Sequence, residues 1–126
     1  MRSLNPGMYL AVVNAAYSMV RYGGYSAKIE TLEEPVKGYM VAVETLKIYP
    51  NISSVNAHEV SGILREETKN LDLDNIYIGS FQDPDTKEVM FEISVNIEDY
   101  EDALILGEAN KQTYIWDVEN EKNIKL

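Results

Sequence analysis

A single histidine, His58, is the only imidazole in the chain, and no serine, cysteine or lysine stands at a spacing that would pair with it for nucleophilic or acid–base work. It falls at the start of a predicted helix, where an exposed first-turn residue is expected. With no cysteine anywhere, disulfides, cysteine-based zinc sites, iron–sulfur clusters and thiol nucleophiles are excluded. Asp83-Pro84-Asp85 with Glu88 has the residue types of a calcium loop but lacks the glycine and the ligand ladder of an EF-hand, so a turn is expected there. Asp72, Asp74 and Asn75 read in the same way as an Asx turn. Gly23-Gly24 and Gly79 are followed by no phosphate-loop pattern. The residues therefore predict a protein that is not an enzyme, with no catalytic residues, no metal site and no cofactor.

What remains is charge. The chain carries 21 acids against 11 Lys and Arg, a net charge of -10. The excess is confined to one half: residues 1–63 hold five acids and five bases, residues 64–126 sixteen acids and six bases. Such a surface repels phosphate, so direct binding to nucleic acid or to an anionic membrane is not expected, and a basic protein is the natural complement. The plain alternative is that the acids only keep the chain soluble. Nine tyrosines are too many for one small core, so some must be displayed, and Asp99-Tyr100-Glu101-Asp102 joins an aromatic ring to carboxylates in the way that suits arginine-rich surfaces. The candidate partner-binding residues are Glu98, Asp99, Tyr100, Glu101, Asp102, Asp117, Glu119 and Glu121.

The elements that position them follow from periodicity. A first helix is predicted from Pro6 to Tyr22, capped by Asn5 and closed at Gly23, with Val12, Val13, Ala16, Met19 and Val20 inward. Ala27, Ile29 and Thr31, then Gly38 to Glu44, read as a hairpin turning near Pro35. Asn56 caps a second helix with Glu59 in a capping box, Val55 stapling against Val60, and Val60, Ile63, Leu64 and Leu71 as its apolar face. Ile76 to Ser80 and Val89 to Val95 form a second hairpin around Gln82–Asp85, with Glu88, Glu92 and Ser94 on the solvent side. A third helix starts near Asn96 or Glu98, with Tyr100, Ala103, Leu104 and Gly107 inward, and ends near Asn110. Tyr114, Trp116 and Val118 share one side of a strand, and Ile124 and Leu126 lie on its return.

At 126 residues the chain predicts one domain, 1–126. The expected fold is α+β, with three helices alternating with antiparallel hairpins in αββ-αββ-αββ order; Val60, Ile63, Leu64, Phe91, Ile93, Val95, Leu104 and Trp116 are expected to be buried together. Asn14 interrupts the apolar stretch Met8–Val20, which is too short to span a bilayer, so neither a leader nor a membrane span is expected.

The segments Asp99–Leu104 and Gly107–Asn120, with Ile124, resemble the closing segment of small acidic accessory proteins of phages and plasmids, and Gly38-Tyr39-Met40-Val41 is similar in character. By class and composition that resemblance implies an anti-CRISPR or antirestriction inhibitor acting in the host cytoplasm on a basic nucleic-acid-binding protein, a CRISPR effector or restriction enzyme. In that role a carboxylate array would stand in for the phosphates of DNA. The alternative expectation is an assembly or self-associating module of a phage or conjugative element, such as a homodimer pairing through an edge strand like 123–126.

Overall fold

The computed structural model describes residues 6–20 and 24–126. The proposed cap Asn5, the helix end at Tyr22 and the closing Gly23 lie outside the described residues. Three helices, α1 (Pro6–Met19), α2 (Ala57–Thr68) and α3 (Tyr100–Ala109), accompany strands β1 (Gly24–Lys28), β2 (Tyr39–Tyr49), β3 (Tyr77–Gln82), β4 (Val89–Ile97), β5 (Tyr114–Asp117) and β6 (Lys122–Lys125). The strands form one antiparallel sheet in the order β1-β3-β4-β2-β5-β6.

β3–β4 and β5–β6 are hairpins, as their alternation and turn residues predict. The first expected hairpin does not form. β1 pairs with β3 at one edge of the sheet, whereas β2 pairs with β4 and β5 near its centre. A local turn ends β1, where Leu32 N–H donates to the Lys28 carbonyl and Leu32 takes a left-handed φ of 66°. Residues 29–38 then cross the ends of β3 and β4. They start beside Ile76, whose carbonyl accepts from Ile29 N–H, and finish where Asn96 Nδ2 donates to the Lys37 carbonyl. The elements thus follow one another along the chain in αββ order three times, but only the second and third strand pairs are hairpins, so the repeat is not carried into the pairing of the sheet. Long β2 is matched by long β4 along most of its length, a pairing that a short neighbour in sequence cannot supply.

All three helices cover the same face. Phe91, Ile93 and Val95 alternate along β4 and so point to one side. Phe91 and Ile93 pack with Val60 and Leu64 of α2 and Val12, Val13 and Ala16 of α1 in the main core. Val95 instead joins Val41, Ala103 and Ile115 in a smaller cluster beneath α3, together with half-buried Leu104. The eight residues expected in one core thus divide between two, and Trp116 belongs to neither, being 38% exposed. Leu71 is also exposed, because α2 stops at Thr68 before the apolar stripe reaches it. One polar contact seats α1 on the sheet, the Ser80 hydroxyl donating to the Ala16 carbonyl over 3.1 Å, while the buried Thr68 hydroxyl is satisfied within α2 by the Leu64 carbonyl at 2.7 Å. α3 approaches so closely that a Cβ on Gly107 would sit 2.7 Å from Leu126 Cδ1 and 3.0 Å from Ile115 Cγ2. Glycine is what permits the contact.

The sheet curls. The β2–β4 register shifts between Ala42 and Glu44 and again between Thr45 and Lys47, leaving Val43 and Leu46 as extra residues on β2. Bulges bend a strand and add local twist, so two of them in the central strand make the uncovered face concave. Asn56 caps α2 by accepting from Glu59 N–H. The Glu59 carboxylate turns to the sheet instead of closing the capping box, accepting from the Tyr49 hydroxyl at 2.7 Å and lying 3.6 Å from Lys47 Nζ. That hydroxyl is pushed up to about 12 by burial and by the bond to Glu59.

Candidate functional site

Of the acidic residues singled out by sequence, Glu98, Asp99, Asp117 and Glu119 gather around Tyr39 at the end of the sheet where β4 runs into α3 and β5 runs into its turn, with Glu101 and Asp102 following on the first turn of α3. Asp99 is the N-cap of α3, its carboxylate accepting from Asp102 N–H at 2.9 Å, which explains why this short, glycine-containing helix starts where it does. Tyr100 is 43% exposed rather than inward, and its ring lies against Tyr39 with centroids 5.5 Å apart and planes tilted by 54°. Burial pushes the Tyr39 hydroxyl up, and Asp117, Tyr100, Glu119 and Asp99 push it further in the same direction. Tyr39 is thus the ring around which the acids assemble, and nothing in the spacing of the sequence marked it. A shallow depression of about 110 Å³ between Tyr39, Glu98, Asp117 and Glu119 marks the place.

Two of the expected surface acids do other work. Asp117 is only 5% exposed. Its carboxylate accepts from Asn120 Nδ2 at 2.8 Å and from Asn120 N–H at 3.2 Å, bonds that hold it below the usual carboxylate range and build the β5–β6 turn. It faces inward because Ile115 and Asp117, not Tyr114 and Trp116, occupy the covered side of β5. Glu98 pairs with Lys37 at 3.2 Å. Glu121 belongs to the rim of the opposite face, in the turn before β6. Glu101, Asp102 and Glu119 remain exposed and, like Glu108 on the same helix, have no ion pair among the described residues.

The other candidates behave as turns and caps. His58 is exposed in the first turn of α2. Asp83 accepts from the N–H groups of Asp85 and Thr86 at 2.8 and 3.1 Å, and Asp72 from Asp74 N–H at 3.1 Å. Among the described residues no group of three His, Asp or Glu side chains could hold a metal ion, and no helix is long and apolar enough to cross a membrane.

A second region was not singled out from the sequence. The uncovered face of the curled sheet forms a groove of about 750 Å³, with Phe81 and Met90 toward one end and Met40 and Trp116 toward the other. Glu92 stands between them. Its only signal in the sequence is its place in the alternation of β4, which reads as an ordinary solvent-facing carboxylate.

Comparison with protein-family models, with curated proteins and with solved structures gives no match to the chain.

Proposed function

We propose that the protein is a non-enzymatic inhibitor of phage or mobile-element origin that binds a host nucleic-acid-handling defence protein, a CRISPR effector or restriction enzyme, through its acidic end. The observation that carries the reading is the uncompensated charge on α3 and the following turn: Glu101, Asp102, Glu108 and Glu119 are exposed and lack cationic partners among the described residues. Duplex DNA presents a negative charge about every 1.7 Å of axis, and carboxylates held on a helix and an adjoining turn can meet the same lysines and arginines. Asp117 supports this array from below by fixing the turn that displays Glu119. Tyr100, braced against Tyr39, is the ring available to stack on a guanidinium.

The test is affinity capture from host lysate followed by binding kinetics at two salt concentrations. Reversing Glu101 and Asp102 to lysine is expected to weaken binding more than tenfold and flatten its salt dependence, mainly through the association rate. Reversing Asp85 and Glu88, exposed at the opposite end of β4, is the control with equal charge change. Equal losses from both pairs would mean a diffuse effect of net charge and no acidic interface at α3.

The assembly reading has one observation in its favour, since β6 ends the sheet with an edge that no described strand covers. Light scattering separates the two: a stable oligomer without affinity for a basic effector favours assembly.

A further inference from the structure

The groove on the uncovered face has a chemistry of its own, independent of the acidic end. Glu92 is placed by register between Gly79 of β3 and Thr45 of β2, with Ser26 of β1 beyond Gly79. The residues beside it are small, so the carboxyl rises from a floor in which Ser94 and Met40 are each only 5% exposed although no helix covers them. The curl and the crossing connection 29–38, which contributes Glu34, Pro35 and Val36 to the wall, account for that shelter. Glu92 has no hydrogen bond or ion pair among the described residues, and burial alone pushes its carboxyl up.

An unpaired carboxyl in a sheltered place opposes folding, because desolvation disfavours its charged form and no donor offsets the loss. Its surroundings define what would offset it. Glu34 and Glu121 add two more carboxylates to the wall, and among the described residues no lysine, arginine or histidine lines the groove. An anion is therefore repelled, and a neutral apolar molecule would desolvate Glu92 further without pairing it. Aromatic faces and thioethers attract cations and also pack against hydrocarbon, and Phe81, Trp116, Met40 and Met90 supply both. The volume lies within the roughly 300–1,000 Å³ of small-molecule sites.

We propose that this groove binds a small organic ammonium ion with an apolar body, its nitrogen paired with Glu92 and its hydrocarbon part directed to the end of the groove formed by Met40 and Trp116. Glu34 and Glu121 then act as a negative rim that favours entry of the cation.

The probe is phenethylammonium, titrated into the full chain and followed by backbone amide NMR, with 2-phenylethanol and 3-phenylpropionate as neutral and anionic counterparts. Saturable binding of the ammonium alone, with shifts centred on Gly79, Glu92 and Trp116, is expected. Glu92→Gln should weaken it more than tenfold. Gly79→Leu fills the floor: a Cβ there would meet Ser94 Oγ at 3.4 Å and the Tyr25 carbonyl at 3.7 Å, so the new side chain has room at its base and blocks the ligand above. Should Gly79→Leu fail to fold, Trp116→Ala at the exposed rim serves instead, with a severalfold loss expected. The proposal is overturned by equal affinity for the ammonium and the alcohol, by undiminished binding to Glu92→Gln, or by no saturable binding of the ammonium. None of these results bears on the acidic end, whose test uses other residues and another ligand.

Discussion

Phe91 and Glu92 are adjacent on β4, and the two faces they open onto are organised on opposite principles. On the covered face Val89, Phe91 and Ile93 are sealed beneath α1 and α2, at 0–1% exposure, and each apolar group has apolar neighbours. On the uncovered face Met90, Glu92 and Ser94 line a groove sheltered by the curl of the sheet and by the crossing connection 29–38, with no helix over it. The first face gains stability from everything it buries. The second holds a carboxyl in a setting that disfavours its charge, and keeps Phe81 and Trp116 at 39% and 38% exposure. A face that gives up stability in this way has the character of a binding surface, where unpaired groups await a partner.

The comparison breaks most visibly at Phe91. Phe91→Ala is expected to cost about 3–5 kcal/mol, a large share of a small domain's stability, because the ring is fully buried, edge-on to Tyr49, and enclosed by elements that cannot collapse into the space. Chemical denaturation measures it, and an unchanged midpoint would mean that the covered face is not the core. On the other face Trp116→Ala removes an equally large ring with a smaller loss expected, about 1–2 kcal/mol, since much of the indole is already in contact with water. A loss as large as that of Phe91→Ala would make Trp116 a core residue and erase the distinction between the faces.

The acidic end adds a third setting, in which one carboxylate serves both fold and surface. Asp99→Ala is expected to cost about 1 kcal/mol through the lost cap on α3, while Asp99→Asn keeps the capping oxygen and most of that stability but removes the charge. Thermal melts of the two variants, set beside their affinities for a captured effector, separate capping from charge. If both variants lose the same stability, the cap contributes nothing.

How far these regions were legible in the sequence depends on how local their causes are. Asn56, Asp83 and the β3–β4 alternation were readable because each rests on residues a few positions apart. The acidic end was half readable: Asp99, Glu101 and Asp102 sit on the predicted helix, but Asp117 looked like a surface acid until Asn120 turned out to hold it inside. The β1–β2 hairpin failed because pairing was inferred from adjacency in the chain, whereas residues 29–38 carry the chain across the ends of two other strands. Trp116 is expected inward with Tyr114 and Val118, yet on a four-residue strand alternation alone does not say which side is covered, and a buried Ile115 and a hydrogen-bonded Asp117 set the opposite phase. The groove was invisible for a related reason. A period of two says that Glu92 and Phe91 face opposite ways, but the concavity of the second face depends on bulges at Val43 and Leu46 that no short-range pattern announces.

The smallest expected effect has the opposite sign to all the others. Because burial raises the Glu92 carboxyl above its ordinary value of 4.5, the folded chain holds that proton to a higher pH than the unfolded chain does. Stability from this group therefore falls as pH rises from 4.5 through the raised value, and stays lower above it. Glu34 from the crossing connection, Glu121 from the β5–β6 turn, Tyr25 of β1 and Tyr114 of β5 are the other titratable groups of the groove; Lys28 and Lys125 share the face by register at its outer strands but do not line it. None is placed to supply the missing counter-charge. Glu59, Glu66, Asp83 and Asp117 are shifted downward by their hydrogen bonds, so the wild-type curve also carries losses of stability on acidification. The difference between wild type and Glu92→Gln cancels those groups. The variant should be the more stable of the two at pH 7, with the gap closing as pH is lowered toward 4.5 and vanishing below it. Denaturation of both proteins across that range measures the gap. A variant less stable than wild type at pH 7 would mean that Glu92 is already paired within the fold, and that the uncovered face is held together by the same logic as the covered one.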